Sequence, residues 1–203
     1  LPTIHRLKPG DAPAASRWDA FVQACPEATF FHRAAWQTVM TEVFGHNTHY
    51  LYAERDGAIV GVLPLAQVKS LLFGHALVSL PFAVYAGVAA VDESAAVALE
   101  AEAERIAQHL GAEHLELRQL SRRHDSWPRQ ELYVTFRKAI LPDDEANMLA
   151  IPRKQRAMVR KGIKNGLMAQ FDSGVDRFFA LYADNVHRHG TPALPRRYFE
   201  ALR

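Results

Sequence analysis

Apolar residues at helical spacing open the chain. Ala14, Trp18, Phe21 and Val22 predict a helix over 11–25, stopped by Pro26. Phe31, Ala35, Val39 and Val43 repeat every four residues and predict a second helix over 30–44, ended by Gly45. A helical hairpin with Trp18 and Trp36 as large packing residues accounts for this opening. The period then falls to two. Tyr50, Leu51 and Tyr52 supply a strand, Asp56-Gly57 is a favoured tight-turn pair, and 59–65 supplies the return strand. Pro64 lacks a backbone donor, so it belongs at an edge, a strand end or a bulge. Residues 77–80 predict a further strand closed by Pro81, and Tyr85-Ala86-Gly87-Val88 reads as a segment of close approach. Leu99, Ala103, Ile106 and Leu110 share one face of a helix that begins near Ser94 and is capped by Gly111, while Glu100, Glu102, Glu104 and Arg105 occupy its other faces. Leu115 and Leu117 alternate, as do Leu132, Val134 and Phe136 after a polar loop holding Arg122, Arg123, His124 and Asp125. This order predicts an α/β fold, a mixed sheet covered by helices, with 50–65 and 114–137 in one sheet.

The pattern changes character after Leu141. Pro142-Asp143-Asp144-Glu145 places acids where a helix N-terminus favours them, and a helix over 152–165 is closed by Gly166. A short strand is expected through Met168 and Phe171. Val175, Phe178, Phe179, Tyr182 and Val186 mark an amphipathic helix ending near Gly190, and 195–202 begins one more. The expected organisation is therefore a first domain over 1–141 and the front of a second over 142–203, incomplete because no strand-rich core accompanies its helices. The lack of an initiator methionine at Leu1 adds the expectation of a trimmed chain.

Composition narrows the classes. With 203 residues, 49% of them hydrophobic, the chain can bury a proper core. One cysteine, Cys25, excludes a disulfide scaffold and suits a reducing compartment; without a basic neighbour in sequence it reads as structural. No stretch reaches the run of about 20 apolar residues needed to span a bilayer, and no export signal is read at residues 1–5. The expected location is the cytoplasm, including its membrane-facing side.

A net charge of +2 is too small to argue for nucleic acid, but its distribution is uneven. Arg153, Lys154, Arg156, Arg160, Lys161 and Lys164 follow one another with no acidic residue from Ala146 to Phe171. On a helical wheel Arg153, Arg156, Arg160 and Lys164 form one stripe, flanked by Lys154 and Lys161. Ile151, Met158, Val159 and Ile163 take the remaining arc, which is expected to be buried. Two readings stand: contact with phosphates or another polyanion, and a solvated charged face. Other chemistry is sparse. The sequence holds no phosphate-binding loop, no His-Glu-x-x-His and no Gly-x-Ser-x-Gly. His187 and His189 lie near Asp184, but side chains two apart on a helix diverge, so they read as solvated polar residues and no metal is expected.

Several of these segments resemble a known family. Thr29-Phe30-Phe31-His32, Trp36, Gly61-Val62-Leu63-Pro64-Leu65, Leu72-Phe73-Gly74, Leu77 to Phe82, Tyr85-Ala86-Gly87 and the basic run from Lys154 to Leu167 together look like FemAB-like proteins, in particular the bacterial group associated with exosortase and PEP-CTERM systems. The resemblance extends over nearly the whole chain. It implies a GNAT-like acyltransferase fold, two such domains per chain with the second beginning near Pro142, and continuation beyond Arg203. Characterised members of the family transfer an amino acid from aminoacyl-tRNA to an amine of a cell-wall peptide precursor. The resemblance thus implies an N-acyltransferase with an acyl donor and a cell-envelope acceptor as partners. Tyr85, Gly87 and Trp36 become candidates for the acceptor cleft, and the six cations from Arg153 to Lys164 candidates for donor phosphates. The Arg/Gln-x-x-Gly-x-Gly/Ala loop of acetyltransferases that use coenzyme A does not occur, so no cofactor is expected. The competing class is a noncatalytic binding or assembly protein that meets an anionic partner, or membrane headgroups, through the basic helix.

Overall fold

A computed structural model describes all residues except Phe73 and Glu131. Strand β1 (Thr3–Leu7) leads to helix α1 (Ala12–Ala24), whose N-cap Asp11 accepts a hydrogen bond from the Ala14 amide. The second expected helix is broken. A 3-10 turn at Phe30–His32 precedes α2 (Trp36–Thr38), which runs into a π-helical turn at Val39–Val43. The break arises because Thr29 caps the 3-10 turn with its hydroxyl while His32 accepts the Thr29 amide, so local side-chain bonds replace helix bonds.

The strands form two four-stranded ladders. β1, β3 (Tyr50–Arg55), β4 (Ala58–Leu63) and β7 (Ala89–Ala90) make one, and β2 (Asn47–Thr48), β5 (Ala66–Ser70), β6 (Gly74–Val78) and β8 (His114–Glu116) make the other. Every pairing is antiparallel except β6 with β8. The single sheet expected for 50–65 and 114–137 is thus corrected: the first segment lies mainly in one ladder and His114–Glu116 in the other. Pro64 is the physical reason. It has no N–H to give, so the long hairpin that turns at Asp56-Gly57 loses its ladder between β4 and β5. The His49 amide still donates to the Leu65 carbonyl at 2.8 Å, so the same two strands cross from one ladder to the other without parting.

Helices cover both faces. On one, Trp18, Phe21 and Val22 of α1 and Trp36, Val39 and Met40 of the broken helix pack on Leu7, Tyr50 and Val62. On the other, Leu99, Ala103 and Ile106 of α3 (Glu93–Leu110) pack on Leu51, Leu63 and Leu77. Trp18 ties the first layer together, because its indole N–H donates to the His32 carbonyl at 2.6 Å in a fully buried site. Trp18→Phe keeps most of the apolar contact but leaves that carbonyl without its donor. The expected loss is about 1–3 kcal/mol, read by urea unfolding; an unchanged midpoint would show that the carbonyl finds another donor.

Glu100, expected on an outer face of α3, is buried. The chain after β8 folds back over it, and its carboxylate meets Arg123 at 2.7 Å and His124 at 3.0 Å. Beyond that anchor, residues 132–141 do not form the expected strand. Leu132, Tyr133, Val134, Phe136 and Ile140 are exposed, because alternation yields a strand only where a neighbouring strand offers donors and acceptors. The same holds for the strand expected through Met168 and Phe171. Helices α4 (Asp144–Leu149), α5 (Arg153–Lys164), α6 (Asp176–Arg188) and α7 (Arg196–Leu202) complete the chain. The last of them returns to the first core, where Tyr198 is buried against Trp36 and Phe44.

Candidate functional site

The segment from Ser79 to Val88 sits where the two ladders meet, between the end of β6 and the start of β7. Leu80 and Phe82 carry positive φ values of 60° and 65°. Left-handed backbone costs a non-glycine residue on the order of 1 kcal/mol and persists only where neighbours hold it. Those neighbours are present on both sides. From the side of β8, the Ser79 amide donates to the Glu116 carbonyl at 2.8 Å, the Arg118 amide to the Ser79 hydroxyl at 2.7 Å, and the Arg118 guanidinium to the Ala83 carbonyl at 2.8 Å. From the side of the 3-10 turn, the Thr29 hydroxyl donates to the Tyr85 carbonyl at 2.6 Å and His32 Nε2 to the Gly87 carbonyl at 2.9 Å.

His32 is the centre of this clamp, and its sequence context alone gives it no role. Because its Nδ1 accepts from the Thr29 amide, the proton must reside on Nε2, which is what the Gly87 carbonyl requires. Burial lowers its pKa and keeps the ring neutral. The signal available in sequence was Thr29 three residues before His32, a local capping arrangement whose long-range target only the fold supplies.

The acceptor-cleft candidates take different places. Tyr85 is half-buried and has the Arg137 guanidinium 5.3 Å from its ring centroid. Gly87 is buried and its polar groups are engaged, the amide with the Arg118 carbonyl at 2.9 Å and the carbonyl with His32. It therefore shapes the loop and offers no free donor. Trp36 is 3% exposed, its indole N–H bonded to the Phe30 carbonyl, so it supports the wall behind the loop and cannot reach a ligand from where it lies.

The cations of α5 lie apart from this loop. Arg153, Lys154, Arg156, Arg160, Lys161 and Lys164 have no ion-pair partner among the described residues, and five of them, all but Lys154, line one shallow groove along the helix. The burial expected for the opposite face does not occur: Met158 and Ile163 are 64% and 65% exposed, and no residue of α5 is buried. Among the described residues the helix packs mainly on α4, and both its charged and its apolar faces are largely exposed. His187 and His189 are exposed, and no group of three potential metal ligands occurs among the described residues. Among those residues no helix is long and apolar enough to cross a membrane.

Acid is expected to weaken the strand-rich core through His49. Burial, helped by the nearby Arg6 charge, lowers the His49 pKa to about 4. An unfolded histidine titrates near about 6.5, so between those values the unfolded chain binds a proton that the folded chain refuses. Stability is therefore full above about 6.5 and is lost as pH falls toward about 4, by an amount on the order of 3 kcal/mol for this group. Urea unfolding at pH 7 and pH 4.5 checks this, and a His49→Phe variant that loses as much stability between the two would remove His49 as the cause.

No family model matches the sequence, and no curated protein matches it. Solved structures do. The crystal structure of FemX superposes with a TM-score of 0.60 at 20% identity, over 98% of this chain and 53% of FemX. A GNAT family acetyltransferase from Staphylococcus aureus matches with a TM-score of 0.45 at 10% identity, over 68% of this chain and 98% of its own. The ribosomal-protein-alanine N-acetyltransferase of Brucella melitensis gives 0.42 at 15% identity, over 67% of this chain and 99% of its own. The chain thus spans about half the length of FemX, and its two ladders with helices on both faces share the fold of that part of FemX.

Proposed function

We propose that this chain is part of a FemAB-like N-acyltransferase that transfers an aminoacyl or acyl group to an amine of a cell-envelope precursor. The observation that carries this reading is the likeness to FemX along 98% of the chain, joined to the sequence resemblance at the very segments that build the Ser79–Val88 loop. In such a transfer the acceptor amine attacks the ester carbonyl, a carbon–nitrogen bond forms, the carbon–oxygen bond breaks, and the amine proton leaves with the donor's hydroxyl. In this reading the half-buried Tyr85 meets the acceptor, and Gly87 and Trp36 shape the wall behind it. The α5 cations hold donor phosphates, with aminoacyl-tRNA as the donor. The division into domains at 141/142 belongs to the same reading.

A second reading is favoured by one observation, the simultaneous exposure of the charged and apolar faces of α5. Together they suit a noncatalytic protein that docks on an anionic surface, including the inner face of a membrane. The deciding measurement is mass spectrometry of an amine-bearing peptidoglycan precursor incubated with the protein and charged tRNA, with acetyl-CoA in parallel. An adduct of aminoacyl mass supports the transferase. Absence of any adduct, together with retention on anionic vesicles, supports the docking protein.

A further inference from the structure

Residues 117–130, which follow β8, form neither helix nor strand. Side chains rather than a ladder hold the first part of this segment down, and they do so at two places. At one, Arg118 is fixed to the clamped loop, its amide bonded to the Ser79 hydroxyl and its guanidinium to the Ala83 carbonyl. At the other, Arg123 and His124 close on Glu100, which is 2% exposed, and Arg123 also reaches Glu93 at 2.9 Å. What lies between is loosely tied. Leu120 is 53% exposed, and Arg122 bonds to Asp125 and to the His124 carbonyl, inside the segment itself. His124 stacks on Trp127 at 4.5 Å, again within the segment. Among the described residues, the hydrogen bonds and ion pairs that tie 119–127 to the rest of the fold are those made by Arg123 and His124 with α3.

Gln119 supplies an independent observation. It follows the anchored Arg118 and lies directly on Gly87, with its Cγ 2.2 Å from where a Cβ on residue 87 would stand. Its Nε2 is buried there and has no hydrogen-bond partner. Buried polar atoms are nearly always bonded, and leaving one unbonded disfavours the state that buries it by about fivefold or more. The arrangement that covers Gly87 therefore carries a penalty that an outward swing of Gln119 removes. The bonds to Glu100 oppose that swing.

We propose that residues 119–127 are a lid over Gly87 that swings about the anchored Arg118, with Glu100 as its latch. Closed, Gln119 fills the space beside the missing Cβ of Gly87; open, that space and the neighbouring side of Tyr85 are free. The consequence for activity rests on the transferase reading, in which the lid limits entry of the acceptor.

Nuclear magnetic resonance of the 15N-labelled protein tests the lid without any donor or acceptor, so its failure and the failure of the transferase reading are separate results. Relaxation dispersion should show the amides of 119–127 and the Trp127 indole exchanging between a closed and a minor open state while α3 and the strands stay still. Glu100→Gln should raise the open-to-closed ratio at least about tenfold, because a hydrogen bond to a charged partner is worth about one factor of ten or more. Gln119→Met, of similar length but without the unpartnered N–H, should lower that ratio by about fivefold, measured in the Glu100→Gln background where the open state is most populated. Should Glu100→Gln fail to fold, Arg123→Gln loosens the same latch from its more exposed side and serves as the background instead. Three results overturn the lid. One is a set of 119–127 signals that does not move when the latch is loosened. Another is movement of the α3 and strand signals together with them, which makes Glu100 a support of the whole fold. The third is a higher open-to-closed ratio in Gln119→Met, which shows that the carboxamide holds the closed state.

Discussion

Reversing two charges on α5, Arg156→Glu with Arg160→Glu, is expected to lower affinity for tRNA by about 100-fold while leaving the fold intact. Each arginine that holds a phosphate contributes about a factor of ten. Both side chains lack an ion-pair partner among the described residues, α5 packs mainly on α4, and the bond that half-buried Arg156 gives the Ile151 carbonyl at 3.3 Å is local to the start of the helix. Exposed substitutions of this kind usually change stability by about 0.5 kcal/mol or less. The drop in affinity should be similar across tRNA sequences, because phosphate contacts position a ligand and do not read it. The dependence of log affinity on log salt should also flatten by roughly one unit for each phosphate no longer held. A salt titration of binding with thermal unfolding alongside measures all of this. An unchanged affinity and slope would remove α5 from the donor site, and undiminished retention of the doubly reversed protein on anionic vesicles would leave the docking reading without its charged face.

Gly87→Ala is expected to lower the melting temperature by roughly 3–10 °C and to abolish transfer. A Cβ on residue 87 would lie 2.2 Å from Gln119 Cγ and 3.0 Å from the Arg118 carbonyl oxygen. Gln119 can swing away. The Arg118 carbonyl cannot move as freely, because it accepts from both the Ala86 and Gly87 amides and its residue also bonds Ser79 and Ala83. Overpacking a tight site costs about 1–3 kcal/mol, and for a chain of this size each kcal/mol is worth about 2–4 °C. Relief of the clash pushes the loop from His32, so the expected companion change is in the His32 imidazole resonance, whose Nε2 proton bonds the Gly87 carbonyl. A melting temperature and a His32 signal like those of the wild type would show that the loop has slack and that close approach is not what residue 87 provides.

Much of the element order was legible because it is local. The first helix after Asp11, the Asp56-Gly57 turn, the apolar stripe of α3 and its Gly111 terminus are each written within a few residues and appear where the pattern predicts them. Pro64 is legible in the same way, since a missing N–H needs no knowledge of the partner strand. Its consequence, the division into two ladders, depends on which strands lie alongside. The stripe of cations on α5 follows from angular spacing alone, and so does its opposition to Met158 and Ile163.

Burial is different, because it is a property of what arrives from elsewhere. Glu100 has the sequence context of a surface residue, yet Arg123 and His124, more than 20 positions later, close over it. The apolar arc of α5 and the alternating residues 132–136 have the pattern of buried elements, and both are exposed because no surface in this chain reaches them. His32 gains its role only when folding brings the Gly87 carbonyl, 55 positions away, to its Nε2. Periodicity and turn chemistry are short-range, so the amino-acid sequence by itself determined the helices other than the broken second one, the hairpin and the charged stripe. The clamped loop and the buried carboxylate were decided by long-range contacts, which only the tertiary structure brings together.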